Sequence, residues 1–139
     1  MGVKKDCIIS ALKKWAEAHP EFRLVYLFGS IAKGTENKLS DVDVAILMDQ
    51  NCISGKARIT LVDELISLLK TDSVDVVILN TASPSLKHEV IKHGILVFGN
   101  EKDRILFEES ATREYLDSEI LRKFWKKKLI KEVLSLGTG

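Results

Sequence analysis

The chain has 139 residues, enough for one domain that buries roughly two-thirds of its unfolded surface. Hydrophobic residues make up 45% and charged residues 29%, and the net charge of +1 excludes the global basic field that marks a nucleic-acid binder. Cys7 and Cys52 form no CxxC pair, which excludes a metal or redox framework readable from cysteine spacing and fits a reducing cytosol.

The N-terminal "MGVKKDCIIS" lacks the long apolar core and cleavage site of a signal peptide, and Asp6 stands where a myristoylation site wants Ser or Thr. No apolar run approaches the ~18 residues of a membrane span, so a cytoplasmic protein without membrane contact is expected. Residues 3–18 read as a helix, with Ile8, Leu12, Trp15 and His19 on one face, Ile9 and Ala16 beside them, and Pro20 as the stop. "RLVYLF" (23–28) reads as a strand, and a short helix is expected at 30–33. "DVDVAILM" (41–48) is a second strand, with Val42, Val44 and Ile46 on one face and Asp41, Asp43 and Ala45 on the other. After Gly55, Ile59, Val62, Leu65, Ile66 and Leu69 form a helical stripe over 56–70. "SVDVVIL" (73–79) is a third strand. Ser83 and Pro84 form an N-cap and first helical position, for a helix running to about His93 and closed by Gly94. "ILVFG" (95–99) is a fourth strand. Residues 103–134 read as one long helix, a break near Ser110 being the alternative. Strands alternating with helices predict an α/β or α+β fold, a single layered domain over 1–139 with a mixed sheet flanked by helices.

The chemistry concentrates in "LFGSIAKGTENKLSDVDVAIL" (27–47). Residues two apart on a strand point to the same side, roughly 6.5–7 Å apart along the backbone, so Asp41 and Asp43 project together at the head of an apolar strand. Carboxylates that close repel unless a cation lies between them, and a hard divalent ion such as Mg²⁺ meets that need with oxygen ligands. Two such ions ~3.5–4 Å apart can clamp an in-line phosphoryl displacement. Gly29 lets a phosphate approach the backbone, and the N–H groups of a helix start, with the Ser30 hydroxyl, suit an anion. Asp75 again opens an apolar strand and joins the cluster if that strand neighbours the Asp41–Asp43 strand.

Gly29-Ser30, ten residues, Asp41-x-Asp43 and the later Asp75 together resemble the signature of the DNA polymerase β-type nucleotidyltransferase superfamily. The resemblance covers about residues 22–100, the expected catalytic unit, and the C-terminal helical segment of about 103–134 matches only in kind. Because the chain ends soon after that unit, it resembles the minimal nucleotidyltransferase (MNT) antitoxins of HEPN–MNT toxin–antitoxin pairs. The resemblance implies Mg²⁺-dependent transfer of AMP from ATP to a hydroxyl, a tyrosine, of a cognate HEPN ribonuclease toxin. It implies that Gly29 and Ser30 hold the triphosphate, that Asp41 and Asp43 bind two metal ions, and that Asp75 binds metal and serves as general base. Lys33, in "GSIAKG", stands where the family often has arginine; it keeps the charge for ATP but loses bidentate phosphate contact.

Bland readings stand beside these. Gly29-Ser30 can be a plain turn, Asp41, Asp43 and Asp75 solvated strand ends, and Lys33 a loop charge. His88 and His93 are expected at the surface or at a helix end, and "RKFWKKKLIK" (122–131) reads as a solvated basic helix face rather than a nucleic-acid site. Tyr26 and Tyr115 are taken as packing residues before modification sites. Rival functions are nucleotidylation of a small molecule of aminoglycoside type, and an antitoxin that acts by binding alone. The 115–134 stretch carries more apolar residues than one face needs, so it either wraps the sheet or docks on a toxin partner or a second copy.

Overall fold

Alternating apolar residues make four short strands, and helix-periodic stripes cover the resulting sheet. A computed structural model of the chain describes residues 2–34 and 41–137, so most of the loop between Ser30 and Asp41 lies outside the described residues. In chain order the elements are α1 (Gly2–Glu17), β1 (Phe22–Phe28), α2 (Gly29–Lys33), β2 (Val42–Met48), α3 (Ala57–Leu69), β3 (Val74–Ile78), α4 (Pro84–His93), β4 (Ile95–Phe98) and α5 (Glu101–Gly137). The sheet order is β3-β2-β1-β4. β1 runs antiparallel to β2 and β4, and β2 runs parallel to β3, so the sheet is mixed as expected. The Asn80 side chain extends the β2 edge. Its Oδ1 accepts from the Met48 N–H at 2.9 Å and its Nδ2 donates to the Met48 carbonyl at 2.8 Å.

The two faces of the sheet are unequally covered. On one, Leu12, Trp15 and Ala16 of α1 and Leu61 and Leu65 of α3 pack on Val25, Leu27, Val44, Ile46 and Val76. On the other, a smaller cluster joins Leu24, Tyr26 and Ala45 to Leu79 and Val90, with Phe107 of α5 against it. Alternation along β2 and β3 puts Asp43 and Asp75 on this second face, with Ala45 and Val77.

One expectation is corrected and two are met. In α3 Leu61 and Leu65 are buried, whereas Ile59 is 71% exposed; the buried stripe starts two residues later than expected, at Leu61, and Arg58 rather than Ile59 reaches β3. As expected, Gly94 closes α4, with a φ of −80° that any residue adopts. Glycine is required there because a Cβ would overlap the Val90 carbonyl, which accepts the Gly94 N–H at 2.7 Å. Finally, α5 does not break near Ser110. It runs unbroken for 37 residues, roughly 55 Å, from a start capped by the Asn100 side chain, which accepts the Asp103 N–H at 2.8 Å.

The first half of α5 packs on the body. Ala111 is buried, Phe107 packs on the sheet, and Tyr115 stacks on His88 of α4 with ring centroids 3.8 Å apart, so His88 is a packing residue rather than a surface one. Every residue from Ile120 to Leu136 is exposed. The helix does not wrap the sheet, and Trp125 is not core. At roughly 100° per residue, Leu116, Ile120, Leu121, Phe124 and Trp125 spread over one half of the circumference, Leu129, Ile130, Val133 and Leu136 continue over the other half, and Leu134 returns to the angle of Leu116. The apolar stripe thus crosses the helix by about half a turn beyond Trp125.

Burial decides the stability of α3 substitutions. Leu65→Ala is expected to cost ~2–5 kcal/mol, whereas Ile59→Ala stays within ~0.5 kcal/mol of wild type. Urea titrations of the two variants check this, and equal losses would place Ile59 in the core.

Candidate active site

The acids meet because of strand register. β2 and β3 run parallel, and Asp43 lies directly opposite Asp75 in the ladder. Adjacent strands are ~4.7–4.9 Å apart, so the two carboxylates leave neighbouring backbones side by side on one face. Asp41, exposed, precedes β2 by one residue and has the same parity as Asp43. On the other flank Phe28 pairs with Asp43, so the chain enters Gly29 and α2 beside that carboxylate.

Gly29 has φ +79°, a conformation side chains rarely adopt, and a Cβ placed on it would collide with Oδ2 of Asp43. Glycine is therefore needed both for the turn and for room for the acid. Phe28 precedes α2 in extended conformation and gives no side-chain cap. Ser30 is the second residue of α2.

Burial pushes the Asp43 carboxyl up from the ordinary 3.8 to about 6, and the negative charges of Asp75 and Asp41 add to the shift. Opposed ionisation of this kind marks a carboxylate cluster suited to a hard divalent cation. Among the described residues, no three acids, histidines or cysteines close on a common point as a finished metal site does. Asp75 Oδ1 accepts a hydrogen bond from Arg58 Nη2 at 2.7 Å, and Arg58 Nε donates to the Val76 carbonyl at 2.7 Å. Arg58 was missed at the sequence level. Its only signal there is a cation at the start of the helix leading into an acid-headed strand.

Lys33 is drawn elsewhere. Its Nζ donates to Glu89 of α4 at 3.2 Å. Tyr26 is buried, and its hydroxyl donates to Glu108 at 3.1 Å; burial, reinforced by the Glu108 charge, holds its proton far above the usual phenol range. That excludes Tyr26 as an accessible modification site. His93 is the last residue of α4, at a helix end as expected. A cleft of about 670 Å³ lies at the end of the sheet opposite the acids, lined by Phe22, Arg23, Asp49, Phe98 and Asp103.

The family sequence model described as polymerase beta, nucleotidyltransferase, matches residues 10–103, more than half of the chain. The chain belongs to this nucleotidyltransferase family. It is 39% identical over 88 residues to the protein adenylyltransferase MntA of Shewanella oneidensis, a match that spans 63% of this chain and 62% of that one. It is 28% identical over 119 residues to the MntA of Aphanizomenon flos-aquae, with 79% and 77% of the two chains covered. Among solved structures, it is similar to a chain of a toxin–antitoxin crystal structure with AMP-PNP, with TM-score 0.74, 30% identity and coverage of 91% and 98%. It also resembles a chain in the complex of a tri-AMPylated Shewanella oneidensis HEPN toxin with an MNT antitoxin, with TM-score 0.69, 27% identity and coverage of 93% and 98%. No helix among the described residues of this nucleotidyltransferase is long and apolar enough to cross a membrane.

The Asp43 shift makes stability depend on pH. The folded form holds this proton more tightly than the unfolded chain, so the stabilisation is fully present below pH ~4 and is lost as the pH rises through about 6. Screening at this half-open site limits the effect to on the order of 1–2 kcal/mol. Asp43→Asn should therefore raise Tm in metal-free buffer at pH 7.5 and change it little at pH 4. An equal change at both values would deny the electrostatic cost.

Proposed function

We propose that this chain is an antitoxin that transfers AMP from ATP to a hydroxyl, a tyrosine, of a cognate HEPN toxin. The observation that carries the reading is the in-register pair Asp43 and Asp75 beside the Gly29 turn, in a chain of the nucleotidyltransferase family. The MntA relatives and the structures with AMP-PNP and with an AMPylated toxin support the choice of nucleotide and acceptor.

Asp41, Asp43 and Asp75 fit Mg²⁺ by donor type: all are carboxylates, and their mutual charge opposes the ionisation of Asp43. Bound there, the metal would neutralise charge on the phosphates and on the attacking and leaving oxygens. Gly29 and Ser30 would hold the triphosphate through main-chain N–H groups and the Ser30 hydroxyl. Asp75 would accept the proton of the incoming hydroxyl. The hydroxyl oxygen then bonds to the α-phosphorus, the bond from that phosphorus to the bridging oxygen breaks, and pyrophosphate leaves. Lys33, held by Glu89, would reach phosphate only after leaving that pair. The catalytic unit of about 22–100 would carry this chemistry, and the 103–134 segment the partner contact.

The distal half of α5 fits the toxin as a partner. Leu121, Phe124, Trp125, Leu129 and Ile130 are all at least half exposed. Between Ile120 and Leu136 six basic residues, Arg122, Lys123, Lys126, Lys127, Lys128 and Lys131, face Glu132 alone. The matching surface is an apolar groove with an acidic rim that meets the helix from two sides, since the apolar arc crosses over beyond Trp125.

Two experiments test this reading. Intact mass of the cognate toxin, incubated with ATP, Mg²⁺ and this chain, should rise by one or more AMP units. Asp41→Asn and Asp43→Asn should abolish the gain while the fold persists, and full transfer by either variant would end the two-metal reading. Trp125→Ala should leave Tm unchanged and weaken toxin binding by ~2 kcal/mol or more. Unchanged calorimetric affinity would move the interface off α5.

A further inference from the structure

The two in-register acids are held by different means. Asp43 lies on β2, which has neighbours on both sides, and is walled by the Gly29 turn. Asp75 lies on β3, the edge strand, with its side chain 46% exposed. What holds it is Arg58, one residue inside α3.

The Arg58 contact is two-pointed. Nε binds the Val76 main-chain oxygen and Nη2 binds Asp75 Oδ1, both at 2.7 Å, so one planar guanidinium bridges two consecutive residues of β3. Val76 is fully buried, which makes its carbonyl a fixed anchor. A guanidinium presents its donors in a rigid fork, so anchoring one nitrogen fixes the direction of the other. The bond to Oδ1 therefore sets the carboxylate plane and leaves Oδ2 free of it.

We propose that Arg58 is a positioning residue for nucleotidyl transfer: it splints the edge-strand acid Asp75 so that Oδ2 faces the site shared with Asp43. This rests on the reading of Asp75 as part of the machinery. Arg58 itself touches no reacting atom. Its contribution is to remove the rotamers that a half-exposed aspartate on an edge strand would otherwise sample. Positioning effects of this kind act on the rate of the chemical step, and a misplacement of ~1 Å can cost up to ~100-fold.

The test uses the full chain with ATP, Mg²⁺ and purified cognate toxin, and compares Arg58→Ala, Arg58→Lys and Asp75→Asn. Arg58→Ala should lower kcat by about tenfold or more while KM for ATP stays within about twofold. Arg58→Lys keeps a cation but not the two-pointed contact, and should recover only part of the loss. Independently of activity, three-bond NMR couplings at Asp75 in the metal-free protein should report one side-chain rotamer in wild type and averaging in Arg58→Ala. Wild-type kcat in Arg58→Ala, full recovery by lysine, or a single Asp75 rotamer without Arg58 would each overturn the splint. If those results come with an inactive Asp75→Asn, only the role of Arg58 falls. If Asp75→Asn keeps wild-type kcat, the role of Asp75 falls and the splint with it.

Discussion

Like charges held side by side on a sheet are the constraint around which this chain is built. Asp43 and Asp75 face each other across a parallel ladder, and burial plus neighbouring acids push the Asp43 carboxyl up to about 6. Left to itself, such an arrangement favours fraying of the strand ends or protonation of one acid. The apolar halves of the same strands oppose that fraying. Val42, Val44 and Ile46, with Val74, Val76 and Ile78, lock the register from the opposite face. A slip of one residue would turn the acids toward α1 and α3 and the valines toward the site, so the core and the site enforce the same register.

The unequal coverage of the sheet follows from the same requirement. One face carries the larger core and is closed by α1 and α3. The other holds a smaller cluster, with α4 and α5 against part of it, and leaves Asp41 exposed and Asp75 half exposed. Catalysis on a nucleotide needs an open face, and stability needs a buried one; a sheet with alternating side chains supplies both from one set of strands. Gly29 belongs to this division. It provides the turn into α2 and also the space that the Asp43 carboxylate fills.

Helix α5 obeys different rules along its length. Its first half is anchored by Phe107, Ala111 and the His88–Tyr115 stack, and by Glu108, which accepts from Tyr26 and pairs with Arg104. Its second half leans on local terms, such as the Glu119–Arg122 pair at 2.6 Å, and the Lys128 ammonium 4.9 Å from the Trp125 ring. A helix that exposes large apolar residues on two successive sides has surface to cover beyond its own domain.

Much of the site was legible in the sequence. Gly29-Ser30 and Asp41-x-Asp43 fall on one strand–loop–strand unit, and strand parity alone puts Asp41 and Asp43 on one side. The Ser83 cap, which accepts from the Leu86 N–H at 3.2 Å, was likewise readable, since capping needs only neighbours within one turn. What lies far apart in the chain was not. Whether Asp75 meets Asp43 depends on β3 pairing with β2 rather than with another strand, and that choice is made by the core. The hold of Arg58 on Asp75, the removal of Lys33 to Glu89 and the stacking of His88 on Tyr115 join residues 17, 56 and 27 positions apart. The apolar pattern of α5 fitted burial and exposure equally well, because periodicity describes a face and not what covers it. Local geometry is written in short spacings; the partners of long polar side chains and the fate of an apolar face are set only when the layers pack.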